Sequence, residues 1–180
     1  MIFKSSKILI LLFRYQNSMN ILRGCCFSLL LLFCTSGQFA HAVEVGQTIR
    51  VSGLTSLSGE TMTAEQFAGK YLIIQIWASW CPYCHKQNLN LQKLAPQLSS
   101  DKAVIVAFSV DRDEFSAKNY AEEHAWPFLT AMMTPEWSTT LGKRRGIPEL
   151  YVVNPQGKVV RKDFGLMVDA DLFELKKYGR

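Results

Sequence analysis

The chain has 180 residues, of which 48% are hydrophobic, and a formal net charge of +5. The segment 1–42 holds four basic side chains and no acidic ones, so the segment 43–180 carries a net charge of only +1. The basic isoelectric point is therefore a property of the N-terminal segment and gives no argument for binding nucleic acid or an anionic membrane. The segment 43–180 shows no repeat or linker and is long enough for one domain.

The N-terminal segment, 1–42, has the features of a secretory signal peptide. Arg23 precedes a largely apolar run at residues 25–34, and Ala40-His41-Ala42 follows that run. A positive region, a short apolar region and an A-x-A site together predict cleavage after Ala42. The apolar run is too short for a comfortable membrane span.

The remaining boundary question is the start of translation. Met19 gives a more conventional signal peptide than Met1, so translation that starts at Met19, without residues 1–18, is an open alternative. We assign residues 1–42 to the signal peptide and residues 43–180 to one domain. Of the five cysteines, only Cys81 and Cys84 lie in that domain. An exported domain with one cysteine pair is expected to exchange disulfides rather than be held by them.

The domain is predicted to alternate strands and helices, because apolar runs and apolar residues at helical spacing follow one another. Residues 45–69 are rich in turns, with Leu54, Leu57 and Phe67 as apolar anchors. In chain order we then predict a strand at 71–77, a helix containing Leu91, Leu94, Ala95 and Leu98, and a strand at 103–110. A helix capped by Asp111 and Glu114, a strand at 126–131 and a helix from Thr134-Pro135 to Gly142 follow. The domain is predicted to end with strands at 150–153 and 159–164, joined by a turn at 154–157, and a final helix capped by Asp169. This order predicts an α/β fold with a mixed sheet flanked by helices.

Cys81 and Cys84 lie where the strand at 71–77 is predicted to give way to a helix. At a helix N-terminus, unpaired N–H groups and the positive end of the helix dipole stabilise a thiolate. Two cysteines on such a turn can close a small disulfide ring, with Cys81 exposed and Cys84 shielded beneath it. The pair is predicted to perform thiol–disulfide exchange, with Cys81 as the attacking thiol and Cys84 as the resolving thiol.

Two other uses of the cysteine pair fit the sequence less well. A zinc site needs further ligands, but the domain has no second CxxC, and its only histidines, His85 and His124, lack ligand-like spacing. A structural disulfide across so short a loop stabilises little. We therefore expect neither a metal nor a cofactor.

Residues 77–84, with the sequence WASWCPYC, resemble the active-site segment of thioredoxin-fold proteins and are most similar to secreted TlpA-like and ResA-like thiol–disulfide oxidoreductases. Gly146-Ile147-Pro148, followed by a strand and a turn, resembles the family's cis-proline segment and closing hairpin. The two motifs are farther apart than in plain thioredoxin. The resemblance covers the chain from Val45 onward and implies a thioredoxin fold with a TlpA-like N-terminal extension and strand–helix insertion.

The resemblance also implies roles for residues around the cysteines. Pro148 is predicted to be cis, and the backbone beside it, at Ile147, is expected to pair with a substrate chain as an added strand would. Trp80 is expected to shield the sulfurs and contact substrate. Pro82 and Tyr83 are expected to contact substrate and to tune the redox potential.

Three neighbouring features each leave two interpretations open. The basic run Lys143-Arg144-Arg145 is either a solvated surface or a source of positive charge beside the active site. His85 stabilises a thiolate only if its ring turns toward Cys81. Glu149, where relatives often carry threonine, either discriminates among substrates or points to water.

Two positions depart from the family pattern. Thioredoxins carry a buried acid on the strand before the motif, where this chain has Gln75. ResA-like reductases carry a glutamate three residues after the second cysteine, where this chain has Gln87. Amides cannot exchange a proton at neutral pH, so deprotonation of Cys84 must use water, another side chain or the substrate.

The sequence therefore predicts a periplasmic or otherwise exported enzyme that acts on protein cysteines. By resemblance it is a reductase recharged by a membrane thiol reductant and linked to cytochrome c maturation. The alternatives are a disulfide donor, a peroxide-scavenging enzyme, and a non-catalytic binding or chaperone module that uses the cis-proline groove. Retention of both cysteines disfavours the last of these. Redox direction, substrate and oligomeric state stay open.

Overall fold

The structure, a computed structural model, describes residues 42–180, and all but the last residue of the predicted signal peptide lies outside the described residues. The elements in chain order are β1 (Leu54–Thr55), β2 (Thr61–Met62), α1 (Ala64–Phe67), β3 (Tyr71–Trp77), α2 (Pro82–Leu94), β4 (Ala103–Ser109), α3 (Glu114–Glu123), β5 (Leu129–Met132), α4 (Pro135–Leu141), β6 (Glu149–Val153), β7 (Val159–Phe164) and α5 (Asp169–Phe173), with 3-10 turns at Ala95–Gln97 and Glu174–Gly179.

A five-stranded mixed sheet with the order β5-β4-β3-β6-β7 forms the centre of the domain. β3 runs parallel to β4, and β4 runs parallel to β5. β6 is antiparallel to both β3 and β7. β3 is therefore the middle strand, and six of its seven residues are buried, which explains its nearly continuous apolar sequence. The prediction of a mixed sheet flanked by helices is confirmed.

The side chains of β3 alternate between two hydrophobic cores, one on each face of the sheet. Ile74 and Ile76 pack in a core with Trp137 and Leu141 of α4. On the other face, Ile73 packs with residues of α2 and of the C-terminal segment, namely Leu91, Leu94, Leu172 and Leu175. α2 thus lies against one face of the sheet and begins just beyond the end of β3.

The segment before β3 packs against the α4 face of the sheet. Val43, Ile49, Leu54 and Phe67 are buried in the core on this face. β1 and β2 pair as a small antiparallel hairpin beside the main sheet. The predicted N-terminal extension is therefore part of the folded domain.

The predicted cap of α3 is wrong. Asp113, not Asp111, is the N-cap, and its carboxylate accepts a hydrogen bond from the Ser116 N–H at 2.8 Å. Asp111 is buried and accepts hydrogen bonds from the Ser79 N–H and hydroxyl at 3.0 and 2.8 Å. Its carboxylate therefore fixes the loop between β3 and Cys81, a contact that sequence spacing could not indicate.

The predicted cap of α5 is also wrong, whereas the predicted limits of α4 are confirmed. Val168 precedes α5, and Asp169 lies inside the first turn, where its carboxylate accepts a hydrogen bond from the Asn90 side chain at 2.8 Å. Thr134 caps α4, and Gly142 ends it with a φ of 72°, a conformation that favours glycine.

Candidate active site

The two cysteines lie on the turn that joins β3 to α2. Cys81 is the N-cap of α2 and Pro82 occupies the first turn, where its missing N–H removes no helical hydrogen bond. The Cys84 N–H donates to the Cys81 Sγ at 3.2 Å. The sulfur of Cys81 therefore takes the place of the side-chain oxygen in an ordinary N-cap, at the positive end of a 13-residue helix.

Cys81 and Cys84 form a disulfide with a Cα–Cα distance of 5.2 Å. Cys81 is 5% exposed and Cys84 is fully buried. Cys81 is thus the more accessible of the two, although it is less open than we expected. It packs with Leu57, Ala78 and Ile147 around the disulfide.

Two aromatic side chains flank the disulfide at the surface. Trp80 is 67% exposed and Tyr83 is 64% exposed, whereas Trp77 is fully buried. Exposed aromatic rings next to the disulfide do not stabilise the domain itself, but they offer apolar contact area to a partner protein.

The peptide bond between Ile147 and Pro148 is cis, which confirms the prediction made for Pro148. Ile147 packs against the same cluster that contains both cysteines. Among the loop backbone hydrogen bonds of residues 42–180, none involves Ile147, whereas the Pro148 carbonyl accepts one from the Gly165 N–H at 2.9 Å. Ile147 thus has a backbone edge that an extended chain can pair with.

Gln75 and Gln87 form a buried chain of amides that the sequence did not reveal. Both side chains are fully buried, and the Gln87 Nε2 donates to the Gln75 Oε1 at 2.8 Å. The Gln87 Oε1 accepts from the Met167 N–H at 2.8 Å, and the Gln75 Nε2 donates to the Ile76 carbonyl at 3.4 Å. These contacts satisfy both amides, and neither side chain can take up a proton at neutral pH.

His85 does not present its Nδ1 to Cys81. That nitrogen hydrogen-bonds the hydroxyl of Tyr120 on α3. The His85 ring also packs against the His124 ring, with 4.8 Å between the ring centroids. His85 therefore joins α2 to α3 through Nδ1, and no contact of its ring with Cys81 supports a role in stabilising the thiolate.

Both interpretations of Glu149 are wrong, because the residue is fully buried inside the sheet. It lies between Ile76 of β3 and Phe164 of β7. Burial raises the pKa of its carboxyl, and the positive charge of Lys162, whose Nζ is 3.9 Å from Oε1, opposes this effect. The direction of the Glu149 side chain is decided by the strand register, which the sequence alone does not show.

The basic run lines the same surface depression as the residue before Cys81 and the residue before the cis-proline. Lys143, Arg144 and Arg145 line a surface depression of about 460 Å³ together with Trp80 and Ile147. The second interpretation of this run, positive charge beside the active site, is the one that the structure supports.

The described residues show neither a metal centre nor a membrane span. Within residues 42–180, no group of three or more histidine, cysteine, aspartate or glutamate side chains is arranged to hold a metal ion. In the same part of the chain, every helix is too short or too polar to cross a membrane.

Residues 44–176 match the family model described as Redoxin. The chain belongs to the Redoxin family. It is similar to the thiol-disulfide oxidoreductase ResA of Bacillus thuringiensis subsp. konkukian, with 23% identity over 138 residues that cover 75% of this chain and 78% of the relative. It is also 23% identical over 150 residues to ResA of Bacillus subtilis strain 168, covering 79% of this chain and 84% of the relative.

Solved structures show the same fold. The thioredoxin domain of a thiol-disulfide oxidoreductase from Bacteroides vulgatus superimposes with a TM-score of 0.66 at 22% identity, covering 77% of this chain and all of that domain. StoA from Bacillus subtilis gives a TM-score of 0.60 at 19% identity, over 78% of this chain and all of StoA. The predicted thioredoxin fold and the resemblance to ResA-like thiol–disulfide oxidoreductases are confirmed.

Proposed function

We propose that this Redoxin-family protein is an exported thiol–disulfide oxidoreductase that reduces disulfides in exported proteins. The observation that carries the proposal is the N-cap position of Cys81, whose sulfur accepts the Cys84 N–H at the start of α2. The same N–H group and the helix dipole favour a thiolate at Cys81 in the reduced protein. A Cys81 thiolate next to an exposed backbone edge at Ile147 is suited to attack a disulfide held in an extended chain.

In the first step, the Cys81 thiolate attacks one sulfur of the substrate disulfide. A mixed disulfide forms, and the other substrate sulfur leaves as a thiolate. Cys84 then loses its proton and attacks the Cys81 sulfur, which releases the second substrate thiolate and closes the Cys81–Cys84 disulfide. Two electrons have passed to the substrate, and a thiol reductant must return two electrons to this protein.

The proton of Cys84 needs an acceptor other than Gln75 and Gln87, because both are amides with satisfied hydrogen bonds. The substrate thiolate that leaves in the first step is a suitable acceptor, since it is released as the mixed disulfide forms, before Cys84 attacks. This assigns to the substrate the part that a carboxylate plays in proteins with an acid at these positions.

Export is the second part of the proposal. Val43 would be the first residue after cleavage, and its side chain is buried while its N–H donates to the Leu141 carbonyl at 3.0 Å. Val43, directly after the A-x-A site, is thus anchored in the folded domain, which is compatible with cleavage after Ala42 and supports it. Intact-mass measurement of the exported protein tests this, and a product that retains residues 25–34 would contradict it.

By the resemblance stated above, a membrane thiol reductant recharges the protein, and cytochrome c maturation supplies its substrates. The haem-attachment motif C-x-x-C-H holds two cysteines close enough to form the kind of disulfide that such a reductase opens. The competing candidate is a disulfide donor, because stabilisation of the Cys81 thiolate favours the reduced protein and so makes its disulfide a stronger oxidant.

Trapping of mixed disulfides in living cells tests the proposal. Cys84→Ser keeps the attacking thiol and removes the resolving one, so it should accumulate adducts with exported proteins on non-reducing gels. Cys81→Ser is the matched control and should trap none. The redox state of the wild-type pair gives the direction: a mainly reduced pair supports the reductase, and a mainly oxidised pair supports the donor. Absence of adducts with Cys84→Ser would contradict both.

A further inference from the structure

Lys143, Arg144 and Arg145, which we call the basic face, carry three positive charges in a row at the surface. Lys143 and Arg145 are exposed, and Arg144 is half-buried. Within residues 42–180, none of the ion pairs involves any of the three. The guanidinium of Arg145 lies 4.9 Å from the centre of the Phe164 ring, and Arg144 Nη1 donates weakly to the Ser138 hydroxyl at 3.4 Å. In the described part of the chain, Lys143 and Arg145 therefore have no ion pair, whereas the positive charge of Arg144 acts on the buried Glu149 carboxyl and opposes the rise of its pKa.

The basic face and the disulfide belong to one surface. The depression lined by the basic face is also lined by Trp80, the residue before Cys81, and by Ile147, the residue before the cis-proline. Trp80 and Phe164 are exposed aromatic side chains on this surface. A polypeptide that reaches Cys81 between Trp80 and Ile147 can therefore contact the basic face in the same depression.

Two acidic residues that lie close in sequence to the lining of the depression are buried. Glu149 is fully buried in the sheet, and Asp111 is buried with its carboxylate bound by Ser79 and Ser109. The lining of the depression contains three basic residues and no acidic one, so a polypeptide docked there meets positive charge. Exposed charges at the rim of an interface act mainly on the rate of association and on the choice of partner.

We propose that the basic face selects protein substrates that carry aspartate or glutamate beside their reactive cysteine. This inference rests on the proposed thiol–disulfide exchange and adds the substrate class to it. The acidic side chains of the substrate lie against Lys143 and Arg145 while its cysteine reaches Cys81 between Trp80 and Ile147. The exchange step is unchanged, and the basic face acts by positioning the substrate rather than by touching the reacting sulfurs.

The test uses three synthetic peptides of equal length, each containing one disulfide and flanked by two glutamates, two glutamines or two lysines. The wild-type protein should exchange the acidic peptide about fivefold faster than the neutral one, as expected for two exposed ion pairs, and should disfavour the basic peptide. The preference should disappear at 1 M salt, where screening reduces the Debye length to about 3 Å. Equal rates for the three peptides at low salt would overturn the inference.

The variant Lys143→Gln/Arg145→Gln should lower the ratio of acidic to neutral rates to about one, with Arg144 left in place because it also binds Ser138. Lys93→Gln/Lys102→Gln is the matched control, since both lysines are exposed and lie outside the depression, and the two substitutions also remove two positive charges. The control should keep the wild-type ratio. If it loses the preference too, net charge rather than the basic face is responsible, and the inference fails.

Two further outcomes separate the inference from the proposed function. If the wild-type protein exchanges none of the three peptides, the proposed function fails and not merely the substrate class. Glutathione disulfide, an acidic small molecule, is assayed in parallel. If the variant slows exchange with glutathione disulfide and leaves the peptide ratio unchanged, the basic face serves that molecule, and the inference of a protein substrate is overturned.

Discussion

The side-chain amide of Gln87 donates a hydrogen bond of 2.8 Å to the side-chain oxygen of Gln75, and both residues are completely buried. Gln87 lies one helical turn after Cys84, and Gln75 lies on the strand that leads to the active-site loop. The two positions that hold acids in related oxidoreductases are thus joined into a neutral pair. This pair holds a fixed hydrogen bond and offers no proton-transfer group.

Replacement of Gln87 by glutamate should make the protein more reducing. A carboxylate within one turn of Cys84 repels the thiolate of the reduced form, whereas the neutral amide does not. We expect Gln87→Glu to lower the redox potential by about 30 mV, which corresponds to about 1.4 kcal/mol. Equilibration of purified protein with glutathione buffers measures the potential.

The control for this substitution is Gln97→Glu, which places the same charge at an exposed position beyond the end of α2. Its potential should equal that of the wild-type protein. An unchanged potential for Gln87→Glu would mean that the new carboxyl stays protonated beside Gln75.

The potential of the wild-type pair should lie above that of thioredoxin. Capping of α2 by the Cys81 sulfur stabilises the reduced form, and the Gln75–Gln87 pair contributes no repulsive charge. The sequence between the cysteines, Pro82-Tyr83, also resembles that of glutaredoxins, whose potentials lie at about −200 to −230 mV, against about −270 mV for thioredoxin. A measured value at or below that of thioredoxin would show that another contribution dominates, and a value near about −120 mV would favour the disulfide donor.

Cys81 should react with alkylating agents before Cys84 in the reduced protein. Cys81 is the less buried of the two and is the N-cap of α2, so both its accessibility and the stability of its thiolate favour its reaction. We expect roughly tenfold faster labelling of Cys81 near neutral pH. Limited alkylation followed by peptide mapping gives the ratio, and preferential labelling of Cys84 would reverse the assigned roles.

Removal of the charge at Glu149 should change how stability depends on pH. Burial raises the pKa of this carboxyl above the value of 4.5 that it has in the unfolded chain. Between these two pKa values the folded state holds a proton that the unfolded state has released, so stability falls as pH rises through this range. The Glu149→Gln variant has no carboxyl to titrate, so its stability does not fall in this way. Relative to the wild type, it should therefore become more stable as pH increases.

Urea unfolding at a series of pH values measures this difference. In the variant, the Lys162 Nζ keeps its hydrogen bonds to the Val43 carbonyl at 2.9 Å and to the Glu44 carboxylate at 2.8 Å, so its charge is still paired. Glu174→Gln, at an exposed carboxyl, should follow the wild-type curve. A Glu149→Gln variant whose stability runs parallel to the wild type at all pH values would show that the ion pair with Lys162 offsets burial.

Local signals in the sequence were sufficient for the strands and helices after residue 70 and for the reactive turn, but they missed β1, β2 and α1 and misplaced two helix caps. The apolar run at residues 71–77 became β3, and Thr134 and Gly142 bound α4. The cis bond at Pro148 was expected from the family resemblance instead. The strand and the caps depend on residues a few positions apart, since side-chain period, caps and turns act within one or two helical turns or strand repeats. The same reasoning placed Cys81 at a helix N-terminus before any contact was known.

Tertiary structure decided which distant groups meet. The sequence showed Gln75 and Gln87 as two separate losses of acids, and only the packing of α2 on β3 made them one hydrogen-bonded pair. Strand register buried Glu149, and the position of α3 directed His85 to Tyr120. The basic face lies beside Trp80 because the chain returns to the active site just after it. Such partnerships depend on register and packing between elements far apart in sequence, and no short-range pattern encodes them.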